Sequence, residues 1–458
     1  MVFQSWTFLV FFLAVYPIWL GLKRTRWGAP WLLMSSYAFY ASWSPLYLLL
    51  IAYSTVVDYV VGRLIGRGRR KRVWLCVSLV NNLGLLGFFK YAAFVADNLN
   101  AGLAWLGVGY AIPPPDWLLP VGISFYVFQS LGYVIDCYRG TIAPERCLVC
   151  YAAFVGFFPR LLMGPIERAG NLLPQIRAVP TVSGRDVAEG LSLFVVGLFK
   201  KVALADYLAL YVNKVYASPE QFESPALILA TFAFTWQIYF DFSGYTDMAR
   251  GLARLMGIRL MLNFNNPYLS TGFGEFWNRW HISLSSWFKD YVYIPLGGNR
   301  RGTFNTYRNM VLTMVISGLW HGAAWTFVIW GALHALGRIV TREFERSAFY
   351  RDRVPKPAKQ LFVFAFVAFA WIFFRAATFH DACVIVARIF TTGWADPGCP
   401  IWALALIFAA WAYQFGFESK LKRLLEWAPV RVGMVVLMVL YLAVFAGSDI
   451  QGFIYLQF

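Results

Sequence analysis

Long apolar runs alternate with short polar loops along nearly the whole chain. The pattern predicts an all-α protein that crosses the membrane many times, with about 11–13 hydrophobic helices. Residues 100–115 are apolar but end in three prolines, which favours a re-entrant or interfacial segment. Runs that approach or exceed the ~20 residues of a membrane span lie near 3–22, 28–44, 46–65, 73–95, 117–138, 148–167, 187–213, 225–249, 306–336, 358–379, 400–417 and 432–447.

Composition supports a protein that faces lipid. Of the 458 residues, 59% are hydrophobic and 14% are charged, whereas soluble domains average roughly 45–50% apolar and about 25% charged residues. The net charge is +17. Because the basic residues lie in short loops between apolar runs, anionic lipid headgroups explain them, and we predict a lipid bilayer as partner and no nucleic acid.

The first loops predict an orientation. Basic residues follow the first run, at 23–26, and the third run, at 63–72, while an uncharged turn at Ser44-Pro45 separates the second and third runs. This alternation predicts cytoplasmic basic loops and a periplasmic N-terminus. The first run has no basic region before it and no small-residue cleavage site after it, so we expect a retained helix. The chain shows no tandem repeat or linker, which predicts a single domain over residues 1–458.

Several kinds of chemistry lack their sequence signals. The chain has no GxxxxGK[ST] phosphate loop, no GxSxG nucleophile and no HExxH motif. Cys147 and Cys150 have CxxC spacing but no second pair, so we interpret them as apolar helix residues. We therefore predict neither a metal nor a permanently bound cofactor.

Polar residues at membrane depth concentrate between residues 236 and 334. Asp241, Ser243 and Asp247 interrupt an apolar run, where they support either function or helix packing through Tyr and Ser hydroxyls. Glu275 and Arg279 are spaced for an ion pair on one helix face.

His321 lies near the middle of an apolar run, preceded by Ser317 and Trp320. Gly318 and Gly322 flank it, which predicts room for a reactant. A neutral imidazole at that depth can act as a general base, although a lone buried histidine is commonly structural.

The other histidines have different settings. His281 belongs to an earlier polar cluster, and His380 is expected in an interfacial loop. His334, thirteen positions after His321, lies about 220° around a continuous helix and is not expected to share its face.

These residues carry a resemblance to a known family. The chain resembles the membrane-bound O-acyltransferases, in particular the bacterial branch that acetylates alginate and related exopolysaccharides, with a core signature at 232–336. The matching segments are Leu119–Tyr126, Phe158–Ile166, Tyr239–Asp247 (YFDFSGYTD), Glu275–Ser285 (EFWNRWHISLS), Trp287–Gly302, Gly318–Gly322 (GLWHG) and Tyr455–Phe458.

The resemblance implies tilted helices around a thin central region, where a catalytic tunnel reaches a buried histidine from both sides. It assigns the catalytic positions to His321 and His281. Asn278 stands where many relatives carry a second arginine, so donor binding would fall to its neighbours. The candidate donor-binding residues are Asn278, Arg279, Lys289, Arg300 and Arg301.

The expected function follows from the resemblance. A cytoplasmic thioester, most simply acetyl-CoA, would supply acetyl groups to an exopolysaccharide such as alginate or cellulose. Transfer would be direct or relayed through a periplasmic acetyltransferase or secretion protein, at the bacterial inner membrane. The alternatives are D-alanyl transfer to teichoic acid from a carrier-protein thioester, a polysaccharide or lipid transporter, and a noncatalytic secretion scaffold.

Overall fold

A computed structural model describes residues 1–115, 117–178, 180–445 and 452–454. Across those residues the chain folds into helices and has no β-strand. The predicted all-α class is confirmed. The matching segment Tyr455–Phe458 lies outside the described residues.

The structure divides several of the predicted apolar runs, among them 148–167 and 187–213, into shorter helices. The first eleven helices are α1 (Trp6–Leu22), α2 (Gly28–Ala41), α3 (Pro45–Gly66), α4 (Lys71–Leu86), α5 (Ala92–Trp105), α6 (Ile123–Arg139), α7 (Leu148–Gly156), α8 (Phe158–Leu161), α9 (Ala169–Arg177), α10 (Gly184–Phe199) and α11 (Asp206–Tyr216). The others are α12 (Ser224–Leu255), α13 (Phe273–Arg279), α14 (Ile282–Phe288), α15 (Gly302–His321), α16 (Trp325–Phe344), α17 (Ala348–Asp352), α18 (Lys356–Arg375), α19 (Phe379–Thr391), α20 (Ile401–Phe417), α21 (Lys422–Leu425) and α22 (Ala428–Phe445).

Seven apolar helical segments give the molecule its multi-pass membrane character. Those long and apolar enough to span a membrane, among the described residues, are Pro45–Gly66, Lys71–Trp105, Ser224–Leu255 and Lys356–Arg375. Shorter apolar helices are Trp6–Leu22, Ile401–Phe417 and Ala428–Val444.

The helices belong to two compact units. One comprises Met1–Phe194 and Met248–Met261, and the other comprises Val195–Asp247 and Leu262–Phe458. The single domain expected over residues 1–458 stays a prediction.

Within the first unit, the buried carboxylate of Asp58 on α3 is held by polar groups of α4. It accepts hydrogen bonds from Ser78 Oγ at 2.6 Å and from Asn82 Nδ2 at 2.9 Å. A buried carboxylate needs such donors, since leaving it unpaired in an apolar interior is costly. Asp58 therefore joins the two helices.

In the second unit, the predicted apolar run 306–336 is two helices instead of one. The chain leaves α15 after His321, becomes extended at Gly322 and Ala324, and starts α16 at Trp325. α16 then packs back along α15, with Gly318 facing Phe327. The expectation that His334 lies on the far side of His321's own helix is therefore wrong.

The glycines beside His321 serve this packing. A Cβ added to Gly318 would lie 2.2 Å from the carbonyl oxygen of Phe327, and one added to Gly322 would lie 2.0 Å from the Phe327 ring. The prediction that these glycines leave room for a reactant is wrong, because Phe327 fills that space. Any reactant must reach His321 from another side.

His380 also differs from expectation. It is the second residue of α19 instead of a loop residue. Thr378 and Asp381 form a capping box at this helix start, each side chain accepting a backbone N–H of the other residue. Such caps satisfy N–H groups that a first helical turn leaves unpaired.

Candidate active site

The second unit brings the two predicted catalytic histidines together. His321 is the last residue of α15, and His281 lies between α13 and α14. Their ring centroids are 6.4 Å apart. His321 is 3% exposed and His281 is fully buried. Forty residues apart in sequence, the two rings are brought into contact by the fold.

The backbone around His281 is held in an uncommon conformation. Its φ is +41°, in the left-handed region that non-glycine residues seldom adopt. Asn263 supports this turn, because its carbonyl oxygen accepts the Ile282 N–H at 3.0 Å and its Oδ1 accepts the Ser283 N–H at 3.2 Å. Strained residues that surrounding contacts fix in this way cluster at functional sites.

Burial also determines the charge of His281. Loss of contact with water lowers its pKa to about 3. The imidazole is therefore neutral at physiological pH, with one ring nitrogen a donor and the other an acceptor.

Aromatic rings surround His321. The centroid of its ring is 4.9 Å from that of Trp320, 5.1 Å from Trp330 and 5.4 Å from Phe374. The three side chains are nearly or fully buried. They enclose the imidazole in a region of low polarity, where hydrogen bonds and charges act more strongly than in water.

His334 joins the same aromatic cluster. Its ring lies 4.6 Å from Trp330, which in turn contacts His321. Among the described residues, neither side-chain nitrogen of His334 has a hydrogen-bond partner. Sequence reasoning missed this residue because it treated the two helices as one.

A cavity of about 700 Å³ opens in the same unit, lined by residues of α13–α16 and the turn after α14. The predicted residues Asn278, Lys289, Arg300 and Ser317 line it. No acidic residue is among the described residues that line it. Its described lining carries four cationic side chains, of which Arg338 also lies 3.6 Å from the carboxylate of Glu345.

Two of its cations were not predicted. Arg338 and Arg342, both on α16, also line the cavity. They follow the predicted run 306–336, and the sequence analysis assigned them no role. Their spacing of four residues after His334 was the available signal.

Both walls of the cavity continue to the histidines. On α15 the lining residues are Met310, Thr313, Met314 and Ser317. This helical stripe reaches His321 one turn later, because residues four apart share a helix face.

The cavity wall formed by α16 also leads to His321. Steps of four residues lead from the lining residues Arg342 and Arg338 to His334 and then to Trp330, which contacts His321. The cavity and His321 therefore lie along the two walls of one hairpin, while His281 belongs to the turn between α13 and α14.

Two predicted donor-binding residues are placed elsewhere. The guanidinium of Arg279 pairs with Glu275 at 2.8 Å and with Glu418. Neither Arg279 nor Arg301 is among the residues that line the cavity. The two carboxylates neutralise Arg279, which opposes a role in binding an anionic donor.

The predicted polar residues of α12 have lysine partners. Lys201 Nζ lies 2.7 Å from Asp241 Oδ1 and 2.8 Å from Asp206 Oδ1. The other oxygen of Asp241 accepts the Ile454 N–H at 2.9 Å. Asp241 therefore joins α12 to the helical turn 200–205 and to segment 452–454.

Asp247 is tied to the same turn by a second lysine. Lys200 Nζ lies 2.7 Å from Asp247 Oδ2. Ser243, which lies between the two aspartates in the sequence, has a buried side chain. Lys200 and Lys201 are partners that the sequence analysis did not name, and a role of the two aspartates in function stays a prediction. The pair Lys200-Lys201 within the apolar run 187–213 was the overlooked signal.

Comparisons with known proteins identify the family of this chain. Residues 147–380 match the model of the membrane-bound O-acyltransferase family. The chain is 45% identical over 400 residues to a probable alginate O-acetylase of Azotobacter vinelandii, covering 86% of this chain and 79% of that protein.

More distant relatives have other names. A Helicobacter pylori peptidoglycan O-acetyltransferase is 35% identical over 405 residues, covering 82% of this chain and 76% of the relative. A Streptococcus thermophilus teichoic acid D-alanyltransferase is 30% identical over 246 residues, covering 50% of this chain and 58% of the relative. By its fold, its paired histidines and these matches, the chain belongs to the membrane-bound O-acyltransferase family and is an O-acyltransferase.

Proposed function

We propose that the protein transfers acetyl groups from cytoplasmic acetyl-CoA to hydroxyls of an exopolysaccharide such as alginate or cellulose. The observation that carries this proposal is the cation-lined cavity whose two helical walls continue to His321, the ring of which lies 6.4 Å from that of His281. The names of the relatives at 45% and 35% identity support acetyl as the group transferred.

The cavity suits the charged end of the donor. Arginine forks and the lysine ammonium bind phosphate groups through charge-assisted hydrogen bonds. The lining supplies Lys289 and Arg300 from one side and Arg338 and Arg342 from α16. The neutral arm of the donor would then extend along the hairpin, placing its thioester next to His321.

At the thioester, His321 would accept the proton of the attacking hydroxyl. The hydroxyl oxygen forms a bond to the thioester carbon, the carbon–sulfur bond breaks, and the departing thiolate takes the proton back from His321. General base catalysis of this kind contributes ~10²–10⁴-fold in rate. His281, neutral and 6.4 Å away, would donate a hydrogen bond to the oxygen that becomes negative.

The acceptor side follows the same proposal. We place the protein in the bacterial inner membrane with its N-terminus in the periplasm. The acetyl group would pass outward, either straight to the polymer or through a periplasmic acetyltransferase. D-alanyl transfer is the second candidate, favoured by the 30% identity to a D-alanyltransferase. That match covers half the chain, against 86% for the alginate O-acetylase.

The donor is tested with purified protein in detergent or vesicles. Labelled acetyl-CoA and a D-alanyl carrier-protein thioester are supplied separately, with an alginate or cellulose oligomer as acceptor. We expect release of free CoA and labelling of the oligomer or of a periplasmic partner added with it. Turnover of the D-alanyl thioester alone would contradict the proposal.

Two adjacent arginines provide a matched test of the cavity. Arg300 lines it and Arg301 does not. Arg300→Ala should raise the KM for acetyl-CoA by about tenfold, the value of one charge-assisted hydrogen bond, whereas Arg301→Ala should leave it unchanged. The KM for acetyl-CoA is measured for both variants by steady-state kinetics. Equal changes in KM would indicate that this basic turn serves membrane topology instead of donor binding.

A further inference from the structure

One aromatic side chain forms a wall shared by the two histidines. The ring centroid of Trp320 lies 4.9 Å from that of His321 and 6.1 Å from that of His281. Trp320 is 4% exposed. Because it precedes His321 directly at the end of α15, its position is fixed by the same helix that places the base.

Further rings bound the space on other sides. Phe242 contacts His281 at 4.6 Å, while Trp330 and Phe374 contact His321 and lie 5.3 Å from each other. The glycine side of His321 is filled by Phe327. Close-packed rings of this kind do not admit extra methylene groups without strain.

The geometry of the reaction brings the acyl group close to the rings around the two imidazoles. The thioester carbon must come within ~3–3.5 Å of the attacking oxygen held by His321. The alkyl tail of the acyl group then projects into the volume beside the two imidazoles. Trp320, whose ring contacts both imidazoles, bounds that volume, so a longer tail meets its ring.

We infer that Trp320 determines the length of the transferred acyl group and restricts it to two carbons. This inference rests on the proposed function. Trp320 acts by its volume and not by proton transfer, so shortening it should change which donor is used more than how fast acetyl is used.

The test compares donors of increasing length. The full chain and its variants Trp320→Phe and Trp320→Leu are purified and assayed with acetyl-, propionyl- and butyryl-CoA. For Trp320→Leu we expect the ratio of kcat/KM for butyryl over acetyl to rise about tenfold or more, the discrimination that a methylene or two provides in an apolar pocket. Trp320→Phe should raise the propionyl-to-acetyl ratio by a smaller factor.

A matched control removes the same volume elsewhere. Trp371 contacts Trp330 and Phe374, and neither His321 nor His281 is among its ring contacts in the described residues. Trp371→Leu should keep the donor ratios of the wild type. An equal shift in this control would overturn the inference, because general loosening of the cluster would then explain it.

The remaining outcomes are also distinct. Unchanged ratios in the Trp320 variants, with normal acetyl transfer by the wild type, overturn the inference and leave the proposed function standing. Absence of acetyl transfer by the wild type overturns both. If Trp320→Leu does not fold, the propionyl-to-acetyl ratio of Trp320→Phe decides, since a rise supports the inference and no change refutes it.

Discussion

His321→Ala should lower acetyl transfer from labelled acetyl-CoA by about 10²–10⁴-fold, the usual contribution of a general base. His321 ends α15 where the stripe of cavity-lining residues arrives, and it faces His281 across 6.4 Å. Without the imidazole of His321, no base would accept the proton of the attacking hydroxyl. Transfer is measured as label reaching the polymer or partner, at matched amounts of folded protein.

Two companion variants separate catalysis from folding. His380→Ala changes an exposed residue on α19 and should leave turnover unchanged. His281→Ala should cost less than His321→Ala, because it removes a hydrogen-bond donor and not the base. Wild-type turnover by folded His321→Ala would remove His321 from the mechanism.

Lys201→Met should nearly abolish the yield of folded protein. Lys201 is 1% exposed in its side chain and lies between the carboxylates of Asp206 and Asp241. Without it, the buried carboxylate of Asp241 would lose the cation that lies 2.7 Å from it. Removing one partner of a buried pair destabilises proteins by about 3–5 kcal/mol, which is a large part of a total stability of roughly 5–15 kcal/mol.

The neighbouring lysine supplies the control. Lys200 pairs with the single carboxylate of Asp247, and both side chains are partly exposed. Lys200→Met should therefore leave a larger yield of folded protein than Lys201→Met, measured as the monodisperse fraction after purification in detergent. Adding Asp241→Asn to Lys201→Met should recover part of the loss. Equal losses of folded protein in the two lysine variants would contradict the proposed importance of the buried pairing of Lys201 with Asp206 and Asp241.

The sequence predicted the fold class and the histidine pair for different reasons. Long apolar runs imply membrane helices wherever they occur, so the all-α class followed from local pattern. The proximity of His281 and His321 followed from the family resemblance, since nothing in a forty-residue separation requires it.

The remaining features depend on contacts between distant residues. The break after His321 was missed because Gly322 and the alanines that follow are compatible with an apolar helix. Asp241 pairs with Lys201, forty residues earlier, and no local pattern links them. Arg338 and Arg342 lie beyond the predicted run, and only the return of α16 along α15 brings them to the cavity.

The length of α16 between Trp330 and Arg342 sets a distance that a donor must span. From Trp330 to Arg342 there are twelve residues, which at ~1.5 Å per residue correspond to about 18 Å. A donor that binds at both ends must carry its charge that far from its acyl carbon, on a long neutral arm. An acyl phosphate, whose charge adjoins the acyl group, cannot reach both ends at once, whatever its chemical reactivity.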